Sequence, residues 1–374
     1  MCGPNGVAQF FSENYCGSTP TADLVAQMTN FLEYSRSLPT TGLAAALAVC
    51  GTCLWLLMRS RAQRVVSLKG KNIVVTGCDS GFGLGTVGEL ANLGAVVIAL
   101  VYTSEGSSKA RAAGAKHTLR CDLLNEKDVA MACAEIKKLC NGDLFCVVHN
   151  AGTVAAGMID FQSLSNYRRV MEVNFFAVVQ INTFLLPLLK ECSPDGSKKR
   201  VVFISSVDGL VSLPANAPYD ASKFALEAYA DALRVEQSFW NIRVSVINPA
   251  TMKTPLALGF FETERATWKQ AKEESRGSNI KERWEQEWPE EWLDEHIKVN
   301  TVGLESIAQD PKIVIADIVH AVSAVSPQIR YLSGVFAKTL FWFLWVCPES
   351  WAFSIKKGTV NPPPRTIIAN KMPK

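Results

Sequence analysis

From Lys71 onward, short continuous apolar runs alternate with helix-length segments of mixed polarity. Asn72–Thr76, Val96–Val101, Leu144–Val148, Val201–Ile204 and Arg243–Ile247 read as strands, bounded by polar stretches and rich in β-branched residues. These runs lack the in–out alternation of a half-exposed sheet, so both faces of the sheet must be covered. Such strands, separated by helices, predict an α/β fold: one domain with a doubly wound, Rossmann-type parallel sheet, whose ligands bind beyond the strand carboxyl ends. A third short apolar run precedes Asp122. Between Leu256 and Asp310 the strand pattern stops, and Trp268, Trp284, Trp288 and Trp292 are interleaved with Glu, Lys and Arg. That segment suits a helical lid over a cleft; a solvated helical pair whose tryptophans pack on the body is the alternative.

The segment before the strands has a different pattern. Residues 1–36 are polar and mixed, with Arg36 their one basic side chain. Residues 37–58 carry no charge and are long enough for one membrane-spanning helix, which needs about 20 residues. A buried or peripheral amphipathic helix is the alternative. The apolar core starts too far from Met1 for a cleaved signal peptide. Arg59, Arg61, Arg64, Lys69 and Lys71 follow at once, so the positive-inside rule keeps the main domain on the cytosolic side. The expected organisation is a polar segment 1–36, an anchor 37–58, a domain 70–332 with a lid 256–310, and an aromatic extension 333–374. In that extension, Thr339–Val346 is too short to span a bilayer. It suits a membrane interface, a hydrophobic entrance or a subunit contact. Endoplasmic reticulum is the default compartment for such an anchor, with a mitochondrial membrane as the alternative.

Composition narrows the classes further. The net charge of +3 is small and the basic residues are scattered, so no nucleic-acid footprint is present. The 11 cysteines are odd in number and lack framework spacing. Cys133 and Cys146 stand in apolar runs, where cysteine acts as a small hydrophobe, and reduced thiols are expected. Cys50-Gly-Thr-Cys53 matches a redox motif but lies in the apolar segment, where helix packing explains it better. No metal site is expected.

The chemistry lies in three features in order. First comes Thr76-Gly77-Cys-Asp-Ser80-Gly81-Phe82-Gly83, a glycine-rich turn between a buried strand and a helix. Gly77 permits the tight turn, Gly81 the approach of backbone to a pyrophosphate, and Gly83 close helix packing. Second is Ser206, thirteen residues before Tyr219 at the end of the run Arg200-Val-Val-Phe-Ile-Ser-Ser206. Third is the pair Tyr219 and Lys223, one helical turn apart on one face, where the ammonium is expected to lower the phenol's pKa for proton transfer. Together they point to hydride transfer to or from a nicotinamide. Asp122 suits either a hydrogen bond to the adenine amino group or a helix N-cap. Asn150-Ala151-Gly152 either passes the adenosine ribose or is an ordinary turn. The second strand ends in Val101 where an acid for the ribose is expected, and Glu105 comes too late. No basic residue replaces that acid and Ser80 is uncharged, so NAD is favoured, with NADP not excluded.

These residues, with Met171-Glu-Val-Asn-Phe-Phe176, resemble the short-chain dehydrogenase/reductase family over roughly Lys71 to Thr254. The closest likeness is to its retinol, hydroxysteroid and β-hydroxybutyrate dehydrogenase branch. The resemblance implies a catalytic tetrad of Asn174, Ser206, Tyr219 and Lys223, with Thr254 orienting the nicotinamide carboxamide. It implies that Tyr219 exchanges the carbinol proton, Lys223 supplies positive charge and binds the nicotinamide ribose, and Ser206 holds the substrate oxygen. Asn174 would hold a relay water. The family's Asn-Asn-Ala-Gly reads His149-Asn-Ala-Gly152 here, and its Pro-Gly reads Pro249-Ala250. His149 is expected to be a structural hydrogen-bonder. A homodimer or homotetramer paired through the helices around Asn174 and Tyr219 is implied by resemblance alone. The leading expectation is a membrane-anchored dehydrogenase of a hydrophobic steroid, retinoid or related lipid. The alternatives are an NADPH-dependent long-chain 3-keto lipid reductase, a β-hydroxybutyrate-type enzyme, or a catalytically silent dinucleotide-binding scaffold.

Overall fold

Seven strands form one sheet: β1 (Asn72–Thr76), β2 (Val96–Val101), β3 (His117–Arg120), β4 (Leu144–His149), β5 (Arg200–Ile204), β6 (Arg243–Pro249) and β7 (Arg330–Ser333). Their order is β3-β2-β1-β4-β5-β6-β7, and every neighbouring pair is parallel. The computed structural model describes residues 65–191, 193, 195–274 and 285–359, within the unit Arg64–Lys374. The predicted polar segment 1–36 and anchor 37–58, with Cys50, Cys53 and Trp284, lie outside the described residues.

The crossovers are helical. They include α1 (Gly81–Asn92), α2 (Ser104–Ala112), α3 (Glu126–Leu139), α4 (Leu164–Met171), α5 (Ala177–Lys190) and α6 (Ala217–Ser238). After β6 come α7 (Pro255–Leu258), α8 (Phe260–Glu274), α9 (Glu290–Ile307) and α10 (Lys312–Ser323), and after β7 come α11 (Trp342–Val346) and α12 (Glu349–Lys357). Alternate strand residues face opposite layers. Val74, Val147, Val201 and Phe203 pack with Ile136 of α3, Ile181 and Leu185 of α5, and Leu226 of α6. Ile73, Val75, Val148 and Val202 pack with Val87 and Leu90 of α1 and with Val314 and Ile318 of α10. Each such burial contributes about 1.5–3 kcal/mol, so strands covered on both faces are apolar at every position.

Two strands differ from the sequence expectation. β3, His-Thr-Leu-Arg, has no fully buried residue, and β7 alternates burial as Arg-Tyr-Leu-Ser. Both are sheet edges, where one strand neighbour is missing and polar residues are tolerated. Leu164–Lys190 is the one described helical run long and apolar enough to cross a membrane. Its Ile181, Leu185 and Leu189 pack into the core, so its apolar length serves the sheet layer.

The described residues between Leu256 and Asp310 are mostly helical, and Trp268, Trp288 and Trp292 are not merely solvated. Trp268 and Leu293 form a separate small core with Met158 and Phe161, and Trp288 and Trp292 pack against it. The Trp268 indole donates to the carbonyl of Trp288 at 3.0 Å. In the extension, Leu344 and Ala352 are buried with Val211, whereas Trp342, Trp345, Trp351 and Phe353 are exposed.

Candidate active site

The strand order reverses between β1 and β4, which opens a crevice at their carboxyl ends. Gly77 turns the chain out of β1 with φ of +68°, and a Cβ there would meet Ala151 Cα at 2.7 Å. A Cβ on Gly83 would meet the Gly77 carbonyl oxygen at 2.2 Å, so α1 packs on the turn only with glycine at that position. Ser80 is the N-cap of α1 but makes no side-chain cap hydrogen bond, and the first-turn amides of α1 face an open cleft beside Gly81 and Phe82. The side chain of Asn150 donates to the carbonyls of Thr76 and Gly77 at 2.9 and 3.0 Å. Thr76 Oγ1 accepts from the amides of Asn150 and Ala151, both at 3.0 Å. Asn150 therefore ties β4 to the glycine turn, and Ala151 and Gly152 are left lining the crevice.

Asp122 also lines the crevice, and its Oδ1 accepts from the Leu124 amide at 2.9 Å. It is not a helix cap; Asn125 caps α3, accepting from Lys127 and Asp128. The acid absent from the end of β2 arrives from elsewhere. Asp79, in the glycine turn, accepts from the amides of Tyr102 and Thr103 at 2.9 Å each and from Thr103 Oγ1 at 2.8 Å. Its carboxylate thus sits at the β2 end beside Val101 and lines the crevice. Sequence reading looked for this acid on the strand; its only signal was an acidic residue inside the glycine turn.

Ser206, Tyr219 and Lys223 come together on one wall of the crevice. Ser206 follows β5, where Asn248 of β6 donates to its carbonyl at 2.8 Å. Asn248 is held in turn by Glu227 and by Arg330 of β7. Tyr219 and Lys223 lie one turn apart near the start of α6, with Lys223 Nζ 5.4 Å from the Tyr219 ring centroid. Lys223 is buried and donates to the Ile204 carbonyl at 2.8 Å. Asn174 sits in a wide π-type turn, Glu172–Phe176, between α4 and α5. Its Oδ1 accepts from the Thr153 amide at 2.8 Å, and its Nδ2 donates to the Thr153 carbonyl and to Ser222 Oγ, both at 2.9 Å. The Asn174 side chain is therefore paired with Thr153 and Ser222. A Cβ at Gly152 would lie 3.5 Å from Asn174 Oδ1 and 3.8 Å from Lys223 Nζ, so this glycine keeps the space between them open. Thr254 caps α7, accepting from Ala257, and lines the crevice with Pro249.

The electrostatics correct one expectation. Burial and the nearby Asp208 carboxyl push the Tyr219 phenol above its ordinary value, against a hydrogen bond with Ser206 that lowers it. Desolvation is the largest of these effects and outweighs the help expected from Lys223. Burial lowers the Lys223 ammonium to about 8, while Glu227 and Asp208 act to raise it. Burial also lowers His149 to about 4; its Nε2 is 2.9 Å from Asn182 Oδ1 and its ring stacks on Phe203, as expected of a structural histidine. The thiols of Cys78, Cys121, Cys133, Cys140 and Cys146 are all buried and raised by burial, as for inert apolar cysteines.

The crevice continues into a cavity of about 1050 Å³. Beyond the catalytic wall it is lined by Met158, Leu256, Phe260, Phe261, Leu304 and Phe341, with His296 and Asn300 among them. Its size is at the top of the range of about 300–1,000 Å³ for single small-molecule sites, which suits a dinucleotide together with a second molecule. The first turn of α1 on the cavity wall, with Ser80, Gly81 and Phe82, and the acid at the β2 end fit such a dinucleotide. Among the described residues no cluster could hold a metal ion.

The chain is similar to known proteins. The family model for short chain dehydrogenases matches residues 71–265. The mitochondrial D-β-hydroxybutyrate dehydrogenase of Mus musculus is 30% identical over 286 residues, covering 73% of this chain and 79% of that protein. The 17-β-hydroxysteroid dehydrogenase type 6 of Bos taurus is 30% identical over 314 residues, covering 82% of this chain and 94% of that protein. A solved short chain dehydrogenase from Burkholderia cenocepacia J2315, in complex with NADP, superposes with a TM-score of 0.56 at 19% identity, covering 79% of this chain and 100% of that one, a likeness of fold.

Proposed function

The chain belongs to the short chain dehydrogenase family and is a nicotinamide-dinucleotide-dependent oxidoreductase, and from that premise we propose that it moves a hydride between NAD and a secondary alcohol or ketone on a hydrophobic substrate of steroid, retinoid or related lipid type. The observation that carries this is the convergence of Ser206, Tyr219 and Lys223 on the wall of an apolar cavity that also contains the glycine turn. In oxidation, Tyr219 takes the hydroxyl proton of the carbinol, and Ser206 donates a hydrogen bond to its oxygen. Lys223 supplies positive charge beside the phenol, and Asn174 positions the Thr153 loop and Ser222 around it. The coenzyme, when bound, supplies the hydride acceptor. The first turn of α1 with Ser80, Gly81 and Phe82 would hold its pyrophosphate, and Asp122 its adenine. Ala151 and Gly152 would flank a ribose, Lys223 and Tyr219 would bind the nicotinamide ribose, and Thr254 beside Pro249 would meet the carboxamide.

NAD is favoured over NADP because Asp79 brings a negative charge to the β2 end, where this fold binds the ribose hydroxyls and where a 2′-phosphate would be repelled. Helices α7 to α9 act as the substrate lid, since their Leu256, Phe260, Phe261 and Leu304 line the cavity. Attachment to the endoplasmic reticulum membrane through residues 37–58, with the domain facing the cytosol, follows from the uncharged segment and the arginines after it; a mitochondrial membrane is the alternative. The exposed Trp342, Trp345 and Trp351 suit contact with the interfacial layer. A homodimer or homotetramer is supported by exposed Phe176 and Phe184 on the helices around Asn174 and by Phe224 on α6. The test is NADH or NADPH formation from a panel of secondary alcohols, run with both nicotinamides in parallel. Turnover of steroid or retinoid alcohols with NAD supports the proposal; failure across the panel with both nicotinamides counts against it.

A further inference from the structure

One carboxyl in the site has no part in the hydride chemistry. Asp208 lies on a single helical turn, Val207–Gly209, directly after Ser206, and its amide donates to Ser206 Oγ at 3.1 Å. Its Oδ2 accepts from the Asn216 amide at 3.2 Å, while its Oδ1 is buried with no hydrogen-bond partner. Asn216 is 5% exposed, and its own Oδ1 is likewise buried and unpartnered. Both side chains line the cavity together with Ser206 and Tyr219. Buried polar atoms are rarely left unsatisfied without a reason, and here two such acceptor oxygens belong to neighbouring side chains of the cavity lining. Among the described residues no cation forms an ion pair with Asp208: Lys223 donates to the Ile204 carbonyl and acts on Asp208 only through its charge, and Arg169, which also lines the cavity, donates to Thr153 Oγ1.

We propose that Asp208, seated with Asn216 beside Ser206, is a specificity-determining residue that excludes substrates carrying an anionic group next to the carbinol and accepts a hydrogen bond from a neutral donor there. The inference rests on the function proposed above and narrows it. It separates this chain from its hydroxybutyrate relative, whose substrate is a carboxylate, and leaves the neutral lipid alcohols. A carboxylate beside Asp208 would face a like charge in a poorly solvated site, a costly juxtaposition. Burial pushes Asp208 up to about 7, while the neighbouring Ser206 and the charge of Lys223 act to lower it. The other titratable groups facing it are Tyr219 and Asp220 of α6, with Lys356 of α12 acting on Asp220.

The test uses the full chain with NAD, a long-chain 3-hydroxy acid and its methyl ester, a pair differing in charge and one methyl group. Wild type should show kcat/KM at least about tenfold higher for the ester. Asp208→Asn should cut that preference about tenfold by improving the acid, and Asp208→Glu should keep it. The same order should appear in binding of the pair to the NADH-loaded chain, read by nicotinamide fluorescence, which reports even where turnover is slow. Loss of the charge should also move the acidic, ascending limb of the oxidative pH profile to lower pH, since Asp208 raises the phenol of Tyr219, the base in oxidation. A wild type that prefers the acid, for instance through Arg169, or a preference unmoved in Asp208→Asn, overturns the proposal. Inactivity of wild type on every secondary alcohol, with the binding preference intact, instead indicts the functional assignment beneath it.

Discussion

Asp79 joins the glycine turn to the end of β2 through three hydrogen bonds, and a Cβ on Gly106 would collide with it at 2.2 Å. Its place in the crevice depends on the pairing of β1 with β2, which no local pattern encodes. Removing the charge while keeping the shape should relax coenzyme choice. Asp79→Asn is expected to lower the ratio of kcat/KM for NAD over NADP by about tenfold, as for loss of one charge–charge repulsion. Initial rates with each nicotinamide decide this, and an unchanged ratio would contradict the role. Tyr219 and Lys223, by contrast, were legible at once, because helical spacing alone puts them on one face. The direction of the phenol's pKa was not legible, because it is set by burial and by Asp208, two residues past Ser206.

Among the elements, α8 and α9 carry an unusual pair. Glu264 is fully buried with neither oxygen hydrogen-bonded, and its Oε2 is 3.6 Å from Nε2 of His296, which desolvation keeps neutral to lower pH. Burial raises the Glu264 carboxyl from 4.5 to about 7. Its folded value thus exceeds its unfolded value, so the folded state holds the proton more tightly. Stability is full below about pH 4.5, falls as pH rises toward 7, and stays reduced above it, by at most about 3 kcal/mol. Glu264→Gln should therefore raise the Tm at pH 8 and leave it nearly unchanged at pH 4.5; thermal melts at the two pH values check this. An equal shift at both would show a packing effect instead. The central strands were readable because both faces are buried and every position is apolar. β7 was not, because Arg330 serves the network around Asn248 and the strand is a short edge. The tryptophans of the helical insertion were visible in sequence, but their closure into a core with Met158 and Phe161 is a long-range contact.

The whole molecule combines a dehydrogenase domain with an uncharged N-terminal segment and an exposed aromatic extension. If residues 37–58 anchor the chain, it should stay with membranes through alkaline carbonate washing, and a variant lacking 1–63 should be released or held only weakly by Trp345 and its neighbours. Carbonate extraction followed by blotting distinguishes these outcomes, and a full-length chain found in the soluble fraction would contradict the anchor. The central claim, however, concerns the phenol on the cavity wall. The most direct measurement is NAD-dependent turnover of a secondary alcohol by Tyr219→Phe, alongside NADH binding by the same protein. The account predicts intact binding with turnover reduced by about 10²–10⁴-fold, the usual worth of a positioned acid–base group; turnover within a few-fold of wild type would contradict it.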